Sequence, residues 1–273
     1  MTGAGAAEAA PVANNGAARI AAAFAGSGKR AALMPYLMGG FPDHPTSAAI
    51  AEAYAEGGAD LVELGVPFSD PLADGPVIHA AGTRALAAGA TVAGVLGIAG
   101  ELSPRVPVTV MCYANLVLAR GADRFASELA AVGASGLIVP DLPLEEAPAV
   151  LEACDAAGVA LVPLVAPTTP DERLQRIGER ARGFLYTVSV TGTTGEREDD
   201  GGFGPVIERA KAATDVPVAI GFGISTPEQA AAAAAAGADG IIVGSRLVRL
   251  ASEAQDPAAA VRAAVAELAD ALR

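Results

Sequence analysis

Eight short apolar runs punctuate the chain, at residues 33–39, 60–65, 106–113, 136–142, 160–166, 183–190, 217–223 and 240–244, with longer amphipathic or alanine-rich stretches between them. Each run is rich in leucine or β-branched residues, is about strand length and lacks the polar alternation of a half-exposed strand. Both faces are therefore expected to be buried, as in a parallel sheet. The intervening stretches carry helix marks: Pro45-Thr46-Ser47 opens an alanine-rich segment that ends at Gly57-Gly58, and Ser225-Thr226-Pro227-Glu228 opens another that ends at Gly237. A capping hydroxyl, a proline in the first turn and a closing glycine are start and stop signals. The alanines at 230–236 then read as helix interior.

Eight strands alternating with helices predict an α/β fold of the (β/α)8 TIM-barrel type with extra helices. An open doubly wound sheet is the rival, but no Gly-x-Gly-x-x-Gly follows the first run. Run starts recur every 23–34 residues, except for one gap of 46 between Asp60 and Val106, filled by a loop at 66–76 and an additional helix. A second long connection follows the sixth run, at 191–205. In a barrel both lie on the C-terminal face, where active sites are built. Residues 1–18, rich in Ala, Gly and Asn, are expected to form a disordered tail, with residues 19–273 as one barrel domain.

Composition narrows the chemistry. With 31 acidic against 18 basic side chains, a net charge of −13, the chain would be repelled by nucleic-acid phosphates and anionic lipid. The longest uncharged stretch, 85–100, is Ala/Gly-rich and broken by Thr91, so no membrane span is expected. The start lacks the basic and apolar regions of a signal peptide. Cys112 and Cys154 fit neither a disulfide framework nor a metal spacing, which points to a reduced, cytoplasmic protein. Lys29 and Lys211 are the only lysines, and His44 and His79 the only histidines. An imine lysine at a strand end or a zinc site has little to draw on.

Carboxylates and backbone remain. Glu63 lies inside a buried run near its C-terminal end, where it is either a core glutamate held by an arginine or backbone amides, or a general acid/base with a raised pKa. Asp74, in Ala73-Asp74-Gly75-Pro76, is either a turn residue or a second carboxylate set across the barrel mouth by the folding back of its loop. Ser69 and Asp70 in that loop are either solvated or contacts to a partner. Gly221-Phe222-Gly223-Ile224-Ser225 after the seventh run and Gly244-Ser245 after the eighth sit where barrels hold phosphate on backbone amides and a helix N-terminus. The connection Thr191-Gly192-Thr193-Thr194-Gly195, continuing to Gly202, reads as a hinged lid or as a solvated loop.

The uninterrupted thirteen residues Leu64-Gly65-Val66-Pro67-Phe68-Ser69-Asp70-Pro71-Leu72-Ala73-Asp74-Gly75-Pro76 resemble the signature of the tryptophan synthase alpha chain. The likeness continues through Met111-Cys112-Tyr113-Ala114-Asn115, Pro140-Asp141-Leu142-Pro143, Thr194-Gly195, Gly221-Phe222-Gly223-Ile224-Ser225 and Gly244-Ser245, over roughly residues 19–270. It implies a lyase that cleaves indole-3-glycerol phosphate to indole and glyceraldehyde 3-phosphate in tryptophan biosynthesis. It implies no cofactor in this chain, and a tryptophan synthase beta chain that carries pyridoxal phosphate and joins it as an alpha2-beta2 heterotetramer. By position Glu63 and Asp74 match the catalytic carboxylates, and Tyr36, Tyr186, Thr194, Gly195, Phe222, Gly223, Gly244 and Ser245 match substrate-pocket and phosphate positions. The chain departs in its alanine-rich start, in Tyr36 where the family often has phenylalanine, and in the acidic, glycine-rich 196–204 segment. Asp70, Asn115 and residues 141–143 are candidates for a partner interface. Two alternatives remain at this stage: a lyase acting alone, and a catalytically silent barrel that serves as an allosteric subunit.

Overall fold

A computed structural model describes residues 15–188, 203–221 and 223–273. Among them the runs form one sheet of parallel strands: β1 (Ala32–Met38), β2 (Val62–Gly65), β3 (Val108–Met111), β4 (Gly136–Ile138), β5 (Ala160–Val162), β6 (Leu164–Val165), β7 (Leu185–Val188), β8 (Val218–Gly221) and β9 (Gly240–Val243). Hydrogen-bonded neighbours follow the order β5-β4-β3-β2-β1-β9-β8-β7-β6. The two ends of that order are consecutive pieces of the fifth run, so the sheet comes round on itself as a (β/α)8 barrel. The single strand expected over 160–166 is divided at Pro163, whose nitrogen has no hydrogen to give. The Pro163 carbonyl still accepts from the Tyr186 amide at 3.0 Å. Before the proline the run pairs with β4, and after it with β7.

Unbroken burial along β1, β2, β4, β5, β8 and β9 bears out the missing polar alternation. Met34, Leu61, Ile138, Val162 and Phe184 fill the interior, while Leu33, Val62, Leu64, Val110 and Ile241 pack outward beneath the helices. Helix Pro227–Ala235 opens with Thr226 in a reciprocal capping box with Gln229, and buries Ala230 and Ala233 of the alanine run. Helix His44–Glu56 is capped differently from expectation: Asp43 Oδ1, ahead of the proline, accepts from the Thr46 amide at 2.9 Å. The long gap after β2 contains two helices, Pro76–Ala87 and Val92–Leu102. They meet at 107°, and among the described residues no single helix is long and apolar enough to cross a membrane.

The expected tail is too long at its inner end. Asn15 caps a helix, Gly16–Gly26, so residues 15–18 belong to the folded chain; residues 1–14 lie outside those described. This helix closes the floor of the barrel. Ile20 is fully buried, and Phe24 lies 5.8 Å from Phe184, centroid to centroid. Floor glycines make the room: a Cβ on Gly183 would stand 2.9 Å from Ile20, and one on Gly240 2.7 Å from the Phe24 ring. Full burial of Ile20 contributes roughly 1.5–3 kcal/mol, and the half-buried Phe24 adds less. Arg19 reaches the Gly133 carbonyl at 2.8 Å and also the Ser103 carbonyl, fastening the helix across the floor.

Candidate active site

The opposite rim carries the carboxylates. Alternation along β2 sends Val62 and Leu64 under the helices and Glu63 into the barrel, level with Tyr36 of β1 and Thr109 of β3. Glu63 is 1% exposed, and its enclosed Oε2 has no hydrogen-bond partner among the described residues. Among the described residues no arginine or backbone amide satisfies that oxygen, as a purely structural glutamate would require. Burial, reinforced by the nearby charge of Asp74, pushes its carboxyl up to about 8. Near neutral pH Glu63 is therefore an acid with a proton to give.

That displacement has a stability signature. Between the ordinary value of 4.5 and about 8, folded Glu63 holds a proton that the unfolded chain has released. Its contribution to stability is therefore fully present below the lower value and is lost as pH rises through the upper one. Glu63→Gln removes the titration, so its stability relative to the native chain should rise by as much as about 4 kcal/mol from pH 5 to pH 9. Urea unfolding at the two pH values measures this; a constant difference would contradict the burial argument.

Asp74 is half-buried on the loop leaving β2. The Tyr113 hydroxyl donates to Asp74 Oδ1 at 2.9 Å and accepts from the Ala73 amide at 3.0 Å. The Tyr113 ring also lies 5.4 Å from Phe68, so one tyrosine beyond β3 holds both limbs of the loop. Burial raises the Asp74 pKa, while the Tyr113 hydrogen bond and the charge of His79 oppose the rise. The loop thus folds back as expected and brings Asp74 into electrostatic range of Glu63.

Two tyrosines complete this layer by the same construction. Tyr36 on β1 lies over Gly65 of β2, and Tyr186 on β7 lies over Gly221 of β8, each two residues beyond its register partner. A Cβ on Gly65 would meet the Tyr36 hydroxyl at 2.1 Å, and one on Gly221 the Tyr186 hydroxyl at 2.5 Å. Gly221 is therefore required by a ring, a role the sequence reading, which treated it as the first residue of a phosphate loop at 221–225, did not foresee.

The family model of the tryptophan synthase alpha chain matches residues 23–273. The chain belongs to the tryptophan synthase alpha chain family. The alpha chain of Gloeobacter violaceus is 50% identical over 237 residues, 85% of this chain and 86% of that one. The Methanosarcina mazei alpha chain is 47% identical over 228 residues, 84% of each. Among solved structures, tryptophan synthase of Mycobacterium tuberculosis gives a TM-score of 0.87 at 40% identity, over 93% of this chain and 98% of that one. The tryptophan synthase a2b2 complex of Pyrococcus furiosus gives 0.82 at 36% identity, over 88% and 98%. As an alpha chain the molecule is a lyase of tryptophan biosynthesis that cleaves indole-3-glycerol phosphate.

Other expected alpha-chain positions divide into those the structure brings to the rim and those beyond its description. Gly223 has φ +86°, a conformation that side chains with a Cβ rarely adopt. Gly244 precedes helix Ser245–Glu253, whose first amides face the same end of the barrel. Arg246 follows directly, but its guanidinium binds the Ser225 carbonyl and pairs with Glu267 at 3.5 Å. The Ser225 and Thr226 amides are already taken by Gln229 Oε1, at 2.8 and 3.2 Å. Thr194, Gly195 and Phe222, together with the 191–202 connection read as a lid, lie outside the described residues.

Both lysines are paired at the other end, Lys29 with Asp60 and Lys211 with Asp239, each at 2.8 Å. Among the described residues no three His, Cys, Asp or Glu side chains are grouped to hold a metal ion. A cavity of about 970 Å³ opens beside the Asp74 loop, walled by Ala73, Val139, Pro140, Val162 and Leu164 and reaching out to Arg173 and Arg180; Glu63 and Asp74 do not themselves line it. Sequence reasoning quoted Pro140 only as part of a family motif and did not single out Val162 and Leu164, which flank the division of the fifth run at Pro163.

Proposed function

We propose that Glu63 and Asp74 carry out the cleavage of indole-3-glycerol phosphate, with Glu63 as the proton carrier and Asp74 as the partner of the indole N–H. A retro-aldol cleavage needs an electron sink, and the indole ring is one once its C3 is protonated. Glu63, held as the acid by burial, gives that proton. As the ring becomes an indolenine cation, Asp74 accepts the N–H and stabilises the charge. The Glu63 carboxylate then takes the proton of the C3′ hydroxyl. The C3–C3′ bond breaks, its electrons return to the ring, and indole leaves with an aldehyde on the glyceraldehyde phosphate. The observation that carries this reading is the buried Glu63 carboxyl, whose Oε2 has no hydrogen-bond partner among the described residues, within electrostatic range of a second carboxylate, Asp74.

The apolar wall of Val139, Pro140, Val162 and Leu164 receives the flat ring beside Asp74, and the amides around Gly223, Gly244 and Ser245 receive the phosphate. Tyr36 and Tyr186 pack around the substrate's glycerol portion. Thr194, Gly195 and Phe222 belong to the same pocket by family position.

The partner is a tryptophan synthase beta chain in an alpha2-beta2 assembly in the cytoplasm. Leu72 and Leu118, 80% and 64% exposed, stand on the loop after β2 and on the helix after β3, an apolar rim that a partner would cover. Asp70 and Asn115 are exposed on the same elements, whereas Asp141 is partly spent on the Ala114 amide at 2.8 Å. Pyridoxal phosphate belongs to that partner, since neither lysine here is at the mouth to hold it. Incubating the purified chain with indole-3-glycerol phosphate should release indole slowly, with a roughly 5- to 150-fold rise when a beta chain is added. Absence of indole under both conditions would leave the silent-subunit reading in its place, and an unchanged rate the stand-alone lyase.

A further inference from the structure

Thr109 faces Glu63. The two are register partners on β3 and β2, so their side chains share the inner face of adjacent strands roughly 4.8 Å apart. Thr109 is 0% exposed, and its Oγ1, like Glu63 Oε2, has no hydrogen-bond partner among the described residues. Its methyl points to β4, lying 3.0 Å from where a Cβ on Gly136 would stand. The hydroxyl is left on the sides of Cβ away from that strand. Packing alone does not call for the oxygen, since valine has the same shape and occupies both flanking positions, Val108 and Val110.

The other polar groups around Glu63 sit against glycines of the neighbouring strands or bind other side chains. From β1, the Tyr36 hydroxyl lies over Gly65 and points to Met38 Sδ at 3.9 Å. From β7, the Tyr186 hydroxyl lies over Gly221. From the loop after β2, Asp74 accepts from Tyr113 and, as a carboxylate, has no proton for its neighbour. A proton carrier in this interior must be satisfied both as acid and as carboxylate, and a hydroxyl can serve both forms because it donates and accepts.

We propose that Thr109 is a positioning residue for the cleavage, its hydroxyl pairing with the Glu63 carboxyl in both protonation states. It donates to the carboxylate and accepts from the acid, holding Oε2 in one orientation while the proton leaves and returns. Pairing requires only side-chain rotation on adjacent strands. The inference rests on Glu63 being the proton carrier.

The test uses the full-length chain with Thr109→Val, Thr109→Ser and Glu63→Gln, measuring kcat and KM for indole-3-glycerol phosphate across pH. The Glu63 carboxyl is titrated separately by carbon NMR, and thermal melting checks that each variant is folded. Thr109→Val should lower kcat about tenfold with KM within about twofold, and should move the Glu63 titration up by about one pH unit, because a bond to the charged form is lost. Thr109→Ser should stay within about twofold of the native chain in kcat. A Thr109→Val chain with native kcat and an unmoved titration overturns the proposal, as does a Thr109→Ser chain as impaired as the valine variant. If Glu63→Gln is inactive while Thr109→Val is normal, only the role of Thr109 falls. If Glu63→Gln turns over normally, the reading of Glu63 falls and this inference with it.

Discussion

Glu63→Gln should lower the rate of indole release by about 10³-fold or more, near the upper range of what a positioned acid/base supplies. Glutamine fills the same space on β2, between Tyr36 and Thr109, so the barrel wall is undisturbed. What disappears is the only proton that the Glu63 position can give and take back. Binding of a phosphate-bearing analogue should persist, because the amides around Gly223, Gly244 and Ser245 belong to other strands. In the native chain the acid form is lost as pH rises through about 8, so turnover limited by C3 protonation should decline over the same range. Steady-state indole assays from pH 6 to pH 9.5, with analogue binding by calorimetry, check both statements. Near-native turnover of the glutamine variant would remove Glu63 from the chemistry.

Asp74→Asn should cost about 10²-fold in kcat, the scale of removing one electrostatic partner from a transition state. Asparagine keeps an oxygen that can accept from the Tyr113 hydroxyl, so the loop remains fastened to the far side of the mouth. It loses the charge that opposes the developing cation. The effect should therefore fall on kcat more than on KM. The acid side of the native pH profile should follow Asp74, since its activity requires the ionised form and burial raises its pKa. Comparing the acid limbs of native and variant profiles tests this: the variant should lack the limb. A large rise in KM at constant kcat would instead make Asp74 a plain substrate-binding group.

The barrel was legible because eight runs without polar alternation can be satisfied only by a sheet covered on both faces. Glu63 was legible for a related reason: a carboxylate in such a run has to be explained. Asp74 was less so, because Asp-Gly-Pro also makes a good turn, and only Tyr113, on the strand beyond, shows where its side chain goes. The glycines illustrate the limit more sharply. Gly65 and Gly221 read as a strand end and a phosphate turn, yet each is occupied from above by a tyrosine of the neighbouring strand, which depends on register. A tyrosine on one strand and a glycine two places beyond its partner on the next would have been the signal. The division at Pro163 and the floor helix were hidden similarly. Ile20 and Phe24 are isolated among alanines, and their burial depends on glycines more than a hundred residues away.

That floor helix also bears on when the barrel can form during synthesis. It is made before every strand of the barrel, but Arg19 binds Gly133, 114 positions later, and Phe24 packs over Gly240. β1 likewise has β9 as a lateral neighbour, with Ala32 opposite Gly240. Loop closure over such separations slows folding, and here the closing segments are more than two hundred residues apart. The floor helix therefore waits for its full cover, Phe24 included, until the last strand has been made, and it is the nascent chain that depends most on protection from aggregation.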